Sequence, residues 1–310
     1  MIVFVTISLI MSVPFIHHPE FTAPLPVGHR FPMGKYGRLI ELLHEDGLTS
    51  RALMTEPVEA PLAWVEMVHN ASYVRAVVEQ TLDSEKQRRI GFPVTEAVAK
   101  RARLSAGATV LAGRLALEHG IACSTAGGSH HAARTHGAGF CVFNDVAVAA
   151  RLLVYEKTVS RILVVDLDVH QGDGTANIFR DDRSVFTFSM HCEANFPVRK
   201  ETSNLDVGLP LKTGDGPYLE TLSKHLPQLL RKVDPELVFY NAGVDPHQDD
   251  RLGRLSLSDG GISARENLVL SACRDAHVPV ATVIGGGYQD DIDALAHRHS
   301  LVHRAALDLF

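Results

Sequence analysis

Short runs of apolar, often β-branched residues recur along the chain and are separated by longer segments of helical character. These runs do not alternate between apolar and polar positions, a pattern typical of parallel strands that are buried on both faces. We predict strands at 120–128, 160–170, 184–191, 236–245 and 278–287, after a first strand in SVPFIHHP at 12–19. We predict helices at 34–46, 72–82, 95–119, 143–156, 216–232, 262–276 and 289–308.

Strands and helices that alternate in this way form an α/β fold with helices on both faces of the sheet. The sequence shows no linker, no internal repeat and no low-complexity stretch that would mark a domain boundary. We therefore predict a single domain built on an open, mainly parallel, doubly wound sheet.

The chain begins with the strongly apolar run MIVFVTISLIMSVPFI at 1–16, and its first Lys or Arg is Arg30. A signal peptide needs a basic segment and a cleavage site, and a membrane span needs about 20 apolar residues. We expect residues 1–10 to be an apolar tail and the domain to occupy 11–310. The alternatives are a natural start at Met11 and a short membrane-anchoring segment.

Composition narrows the possible partners. The 310 residues carry a formal net charge of −6, which does not favour a nucleic-acid partner, and no membrane partner is expected. The basic clusters KQRR (86–89) and KRAR (100–103) are interpreted as solvated helix faces. The four cysteines are scattered without a CxxC pair, which argues against a disulfide framework and fits a cytoplasmic setting.

Residues whose side chains can bind metal or act in catalysis follow four of the predicted strands. His130 and His131 follow the first of these, the segment DLDVHQGDG (166–174) ends the second, and Asp245 and Tyr288 end the others. Ligands of open α/β sheets bind at the carboxyl ends of the strands, so we expect these residues to meet at one edge.

Asp166, Asp168 and His170 occupy alternate positions, which would place them on one face of a strand. Neighbours on one face lie about 6–7 Å apart, so one ion would take two of them and a residue from another strand. Asp245 is the natural third ligand. Three ligands and an open position suit a catalytic zinc, but this set is rich in oxygen for zinc, so iron(II) or another divalent ion is an alternative. The alternative is that these are polar strand ends, with Asp173 capping the next helix.

Four motifs in order resemble the zinc-dependent histone deacetylase superfamily, which includes acetylpolyamine amidohydrolases and acetoin-utilisation proteins. They are SHHA…GAGFCVFNDVAVAA, VVDLDVHQGDGT, NAGVDPHQDDRLGRLSLS and IGGGYQ, and the resemblance runs from about residue 17 to the C-terminus. Gln171 and the segment GHRFPMGKYGRLIELL (28–43) look most like the class IV branch and its bacterial relatives.

The resemblance implies the arginase/deacetylase fold for 11–310 and a role for each matching residue. The metal ligands would be Asp168, His170 and Asp245, and the catalytic residues would be His130, His131, Asp166, Asp173 and Tyr288. The acyl channel would be lined by Gly139, Phe140, Phe196 and Leu252. A structural K⁺ site would involve Asp166, Asp168, His170, Ser189 and Met190.

The activity implied is removal of an acyl group from an amine, most simply the ε-amine of lysine in a protein. The segment RRIGFPVTEAV (88–98) has no carboxylate to match the aspartate with which many relatives hold the peptide backbone. Alternatives are a small-molecule deacylase of the acetylpolyamine type, arginase-like chemistry with two manganese ions, and a non-catalytic acyl-lysine binder. The oligomeric state stays open.

Overall fold

The computed structural model describes residues 12–310, which form an eight-stranded sheet in the order β2-β1-β3-β8-β7-β4-β5-β6. The strands are β1 Pro14–Ile16, β2 Leu53–Thr55, β3 Ile121–Ser124, β4 Ile162–Asp166, β5 Val185–Cys192, β6 Leu205–Leu209, β7 Leu237–Asn241 and β8 Val280–Val283. Each neighbouring pair in this described part is parallel. The predicted parallel α/β fold is confirmed, while the predicted tail and start site lie outside the described residues.

Ten α-helices of the described chain connect and cover these strands. They are α1 Lys35–Glu45, α2 Leu62–Val65, α3 Ala71–Val78, α4 Ser84–Ile90, α5 Glu96–His119, α6 Asp145–Tyr155, α7 Asp173–Phe179, α8 Asp215–Val233, α9 Asp259–Asp275 and α10 Ile292–Leu309. One layer is built around α5 and α6, and the other joins α1, α8, α9 and α10. Helices therefore cover both faces of the sheet, as expected.

Local sequence explains where the long helix α5 begins and ends. Thr95 precedes it, and its hydroxyl accepts a hydrogen bond from the amide of Val98. Gly120 follows it in the left-handed conformation at φ 83°, which glycine adopts without steric cost. Strand β3 then starts at once, so this glycine also directs the chain into the sheet.

Two strands were not predicted from the sequence. Both β2 and β6 are edge strands, and their residues are partly exposed, unlike the fully buried residues of β3, β4, β7 and β8. An edge strand with one open side does not need a continuous apolar run, so it lacks the signal by which buried strands are found. The predicted helix ranges also omit the short helices α2, α4 and α7, although the cluster at 86–89 was interpreted as a helix face.

The basic cluster 100–103 differs from the expected solvated face. Arg101 is buried, donates to the carbonyl oxygen of Phe21 at 2.7 Å and stacks over the Tyr36 ring. Arg103 donates to the carbonyl oxygen of Ala60 and pairs with Glu59. These guanidinium groups join α5 to two earlier stretches of the chain, around Phe21 and around Ala60. Arginine suits this role because its several N–H groups can bond to more than one acceptor.

Cys123, Cys141, Cys192 and Cys273 are free and buried, consistent with the expected absence of a disulfide framework. Between residues 12 and 310, no helix has the length and apolar character needed to cross a membrane.

Close backbone packing of α5 gives a test of the fold. A Cβ atom on Gly107 would lie 1.9 Å from the carbonyl oxygen of Val58, whereas one on Gly216 in α8 would meet nothing within 4 Å. We expect Gly107→Ala to lower the free energy of unfolding by about 1–3 kcal/mol, because the backbones must separate. Urea unfolding followed by circular dichroism measures this. Gly216→Ala is the matched control and should be neutral or stabilising; equal effects of the two substitutions would contradict the packing described.

Candidate active site

The four central strands β3, β8, β7 and β4 are neighbours in the sheet, and the segments after them meet at its carboxyl edge. Strand β4 ends at Asp166, so Asp168 and His170 lie in an irregular segment beyond it. The expectation that strand alternation places all three on one face is therefore wrong. The bend after Asp166 instead turns Asp168 and His170 toward Asp245, which follows β7.

Asp168, His170 and Asp245 each offer one ligand atom, and these atoms lie within 4.8 Å of one another. His170 Nδ1 is 3.0 Å from Asp168 Oδ1 and 3.0 Å from Asp245 Oδ2. Within residues 12–310, this is the single group of three His, Cys, Asp or Glu residues that could hold a metal ion. The structure thus brings together the three residues predicted as ligands, and the described residues contain no second such cluster that would favour a two-manganese site.

The charges of this group fit a cation. Asp168 and Asp245 are 1% and 0% exposed, and burial together with the Asp168 charge raises the pKa of Asp245 to about 7. Burial lowers the pKa of His170, but Asp168 and Asp245 outweigh it and raise that pKa to about 10. Two buried carboxylates repel each other unless positive charge lies between them. Two oxygens and one nitrogen around one point suit zinc or iron(II).

Each tandem histidine has its own carboxylate. His130 Nδ1 is 2.7 Å from Asp166 Oδ2, and His131 Nδ1 is 2.6 Å from Asp173 Oδ1. Burial lowers the pKa of His130, but the carboxylates of Asp166 and Asp168 outweigh burial and raise this pKa to about 9. Burial and the charge of His130 lower the pKa of His131. The two rings, whose centroids are 4.1 Å apart, are therefore biased toward different protonation states.

Asp173 is the first residue of α7, and Gly172 occupies the N-cap position without a side-chain cap. The interpretation of Asp173 as a helix cap is therefore wrong. Its carboxylate bonds to His131 instead, and the partial positive charge of the helix N-terminus favours the ionised carboxylate.

Tyr288 follows the glycines at 285–287, and its amide donates to Asp250 Oδ2 at 2.6 Å. Its ring centroid is 5.6 Å from that of Phe140 and 6.2 Å from that of His170. Burial, and then the carboxylate of Asp168, raise the pKa of Tyr288 well above its ordinary value. The phenol consequently keeps its proton and can act as a hydrogen-bond donor.

A cavity of about 320 Å³ lies above these groups, and His131, His170 and Tyr288 line its inner part. The four residues predicted for an acyl channel, Gly139, Phe140, Phe196 and Leu252, all line it too. The Phe196 ring lies 4.9 Å from that of His131 and is 44% exposed, so it reaches from the floor to solvent.

The residues named for a monovalent cation surround the end of β4. Ser189 is the register partner of Asp166 in the β4–β5 pair, and Met190 follows it; both are buried. The Ser189 hydroxyl lies 2.9 Å from His191 Nδ1. Asp166 Oδ1 accepts hydrogen bonds from the amide of Asp168 and from Asn241 Nδ2. These bonds, with His130, already account for the burial of the Asp166 carboxylate.

Sequence reasoning missed several residues that hold the site in place. Asp145 accepts hydrogen bonds from the amides of Gly128 and Ser129, which fixes the loop leading to His130. Its place in the motif FCVFNDVA was the available signal. Arg265 is completely buried and donates to the carbonyl oxygens of Leu167 and Gly243. Its buried ion pair is with the next residue, Glu266, but no local pattern marks its role at the site, because the two carbonyl oxygens that it holds are distant in sequence.

Asp250 lies in the loop after β7 and is largely buried. Its carboxylate accepts hydrogen bonds from the amides of Leu252, Gly253 and Tyr288. It therefore joins the loop after β7 to the segment that carries Tyr288.

Residues 29–303 match the family model of the histone deacetylase domain. The chain belongs to the histone deacetylase family. The predicted superfamily is thereby confirmed, and the chain is a deacetylase. An uncharacterized protein of Picosynechococcus sp. is 52% identical over 300 residues, which span 97% of this chain and 100% of that protein. Histone deacetylase 2 of Arabidopsis thaliana is 31% identical over 269 residues, which span 84% of this chain and 70% of that protein.

Among solved structures, the HD domain of HDA15 is similar to this deacetylase with a TM-score of 0.83. The match covers 96% of this chain and 89% of that one at 22% sequence identity. At this identity the likeness shows a common fold, in agreement with the predicted arginase/deacetylase type.

Gly286 gives a test of the candidate metal site. A Cβ atom there would lie 2.1 Å from Asp245 Oδ2 and 2.6 Å from Asp168 Oδ2. We expect Gly286→Ala to displace both carboxylates and weaken zinc binding about 10–100-fold, measured by competition with a chromogenic chelator. Gly260→Ala, whose Cβ would be 3.4 Å from the Ser258 hydroxyl, is the control. Unchanged zinc affinity in Gly286→Ala would argue against this ligand set.

Proposed function

We propose that this deacetylase is a zinc-dependent amidohydrolase that removes an acyl group from the ε-amine of lysine in proteins. The observation that supports it is the convergence of Asp168, His170 and Asp245 at the base of a cavity that His170 lines together with His131 and Tyr288. A three-ligand site leaves coordination positions open for water and substrate, as catalytic zinc requires.

Asp168, His170 and Asp245 would hold the metal ion. Zn²⁺, or Fe²⁺ on the same donors, supplies a Lewis acid and lowers the pKa of water when it is bound. Asp166, Asp168, His170, Ser189 and Met190 are proposed to hold a structural K⁺. Gln171, whose amide bonds to the carbonyl of Glu201 and to Asp206 away from the metal ligands, supports the proposed class IV-like branch.

His131 is the proposed general base and then the general acid. Its Nδ1 is held by Asp173, so Nε2 is the nitrogen available to accept the proton of the attacking water. The same nitrogen would return a proton to the leaving amine. The lowered pKa of His131 leaves it neutral and ready to accept this proton, while His130, supported by Asp166, contributes a charged hydrogen-bond donor.

Tyr288 is the proposed donor to the carbonyl oxygen as that oxygen gains negative charge. Its raised pKa keeps the phenol protonated, and no described residue occupies its hydroxyl with a hydrogen bond. A donor placed in this way typically stabilises the transition state by about 3–4 kcal/mol. The aromatic rings of Phe140 and Phe196 would enclose the acyl-lysine stem above it.

A deacylation screen tests the proposal. Protein loaded with a known amount of zinc is offered acetyl-, butyryl-, octanoyl- and myristoyl-lysine peptides beside acetylated polyamines. Release of the carboxylic acid from at least one peptide, which leaves the lysine of that peptide with a free ε-amine, is expected at a rate proportional to bound zinc. Release from acetylated polyamines alone would favour the small-molecule alternative, and release from neither would overturn the proposal in favour of a non-catalytic binder.

The roles of His131 and Tyr288 predict that their substitution lowers turnover without lowering zinc content. We expect His131→Ala and Tyr288→Phe each to lower turnover at least about 100-fold, since each removes a group that acts in the transition state. Zinc content should stay near wild type because neither is a proposed ligand. The matched controls are the exposed His297→Ala and Tyr155→Phe. Wild-type turnover in both active-site variants would contradict the proposed mechanism.

A further inference from the structure

Four arginines stand around the outer part of the active-site cavity. Arg30, Arg88, Arg89 and Arg254 line it, and all four are exposed. None of these guanidinium groups forms an ion pair with a carboxylate of residues 12–310, whereas many other arginines of the described chain do. Their positive charge is thus free to act on whatever enters the cavity.

These arginines are tied to the wall of the cavity. Arg88 and Arg89 lie in the last turn of α4. The carbonyl oxygen of Arg89 accepts a hydrogen bond from the amide of Gly139, and that of Ile90 accepts one from Phe140. The Arg30 guanidinium lies 5.1 Å from the centre of the Phe140 ring, and the centroid of that ring is 5.6 Å from that of Tyr288. The positive charges therefore stand a short way above the proposed reacting atoms.

Arg254 lies on the loop that carries Leu252, and it donates to the carbonyl oxygen of Ala194 beside Phe196. Positive charge is thus present on two separate segments of the mouth. A second cavity of about 450 Å³ adjoins the first and shares Arg30 and Arg88 with it. Neither cavity is lined by Asp or Glu, although the whole chain has a net charge of −6.

We propose that the preferred substrate is an acylated amine that carries carboxylates on the amine side of the scissile amide bond. The main example is an acyl-lysine in a peptide with Asp or Glu residues on either side. This deepens the proposed function and rests on it. An acyl-lysine that enters the channel leaves its flanking residues at the mouth, where the four arginines attract anions and repel cations. Polybasic peptides and acetylated polyamines are correspondingly disfavoured. A free N-acylated amino acid offers the same carboxylate chemistry from a second source.

Peptides that differ only beside one acetyl-lysine test the preference. Zinc-loaded protein is given versions flanked by Glu, by Gln and by Lys, together with free Nε-acetyl-lysine and acetylspermidine. We expect kcat/KM to fall in the order Glu, Gln, Lys, with at least about tenfold between the extremes, and the difference to shrink as salt rises. If free Nε-acetyl-lysine surpasses the Glu-flanked peptide, the carboxylate source is a small molecule. Equal values for the three peptides would overturn the proposal.

Substitutions assign the preference to the arginines. In Arg88→Gln/Arg89→Gln and in Arg30→Gln, the ratio of kcat/KM for the Glu-flanked and Lys-flanked peptides should fall toward one. The control is Arg231→Gln. Arg231 is exposed in the last turn of α8, just before the start of β7, and so lies toward the edge of the sheet opposite to the cavity. A ratio that survives in the double variant as it does in the control would contradict the assignment.

Binding separates failure of this inference from failure of the proposed function. Fluorescence anisotropy of labelled Glu- and Lys-flanked peptides reports the preference without turnover. Tighter binding of the Glu-flanked peptide that is lost in Arg88→Gln/Arg89→Gln, without any hydrolysis, would support the role of the arginines and contradict the proposed activity. Equal binding of both peptides would overturn the inference even if hydrolysis is observed.

Discussion

The burial of two adjacent carboxylates, Asp168 and Asp245, is the constraint on which the rest of the site depends. The amide of Gly286 donates to Asp168, and the amide of Val169 donates to Asp245. Such hydrogen bonds hold the oxygens in place without cancelling their charge. Since glycine leaves no Cβ beside these oxygens, the backbone after β8 can approach them closely. Negative charge held in this way creates a strong preference for a cation at one point.

The parallel sheet performs most of the positioning. Its four central strands deliver the tandem histidines, the acidic loop, Asp245 and Tyr288 to one edge, although more than 150 positions separate the first from the last in the sequence. The irregular segments after the strands then depend on long-range hydrogen bonds. Arg265 donates one to the carbonyl oxygen of Leu167, and Asp145 accepts one from the amide of Ser129, just before the histidines. Strand order sets the approximate arrangement, and these bonds set the final distances.

Buried strands and strand-end motifs could be predicted because both leave local signals. The apolar runs marked the central strands, and the motifs marked the residues that converge. The alternation rule failed beyond Asp166, because the chain leaves the strand there and periodicity no longer applies. The edge strands β2 and β6 lacked a continuous apolar run. The role of Arg265 could not be recognised because its bonds to the carbonyl oxygens of Leu167 and Gly243 are long-range. Arg88 and Arg89 resembled an ordinary solvated helix face until the fold placed them at the cavity.

The cavity has a buried floor and an exposed mouth, and these two parts respond differently to mutation. A change at the floor disturbs buried charges that are satisfied only by one another, so it is expected to affect the stability of the fold and the activity together. A change among the exposed arginines leaves the core untouched, since surface substitutions usually alter stability by less than about 0.5 kcal/mol. Substrate preference in such a protein can therefore drift over evolutionary time, or be redesigned, while the reaction itself is inherited unchanged.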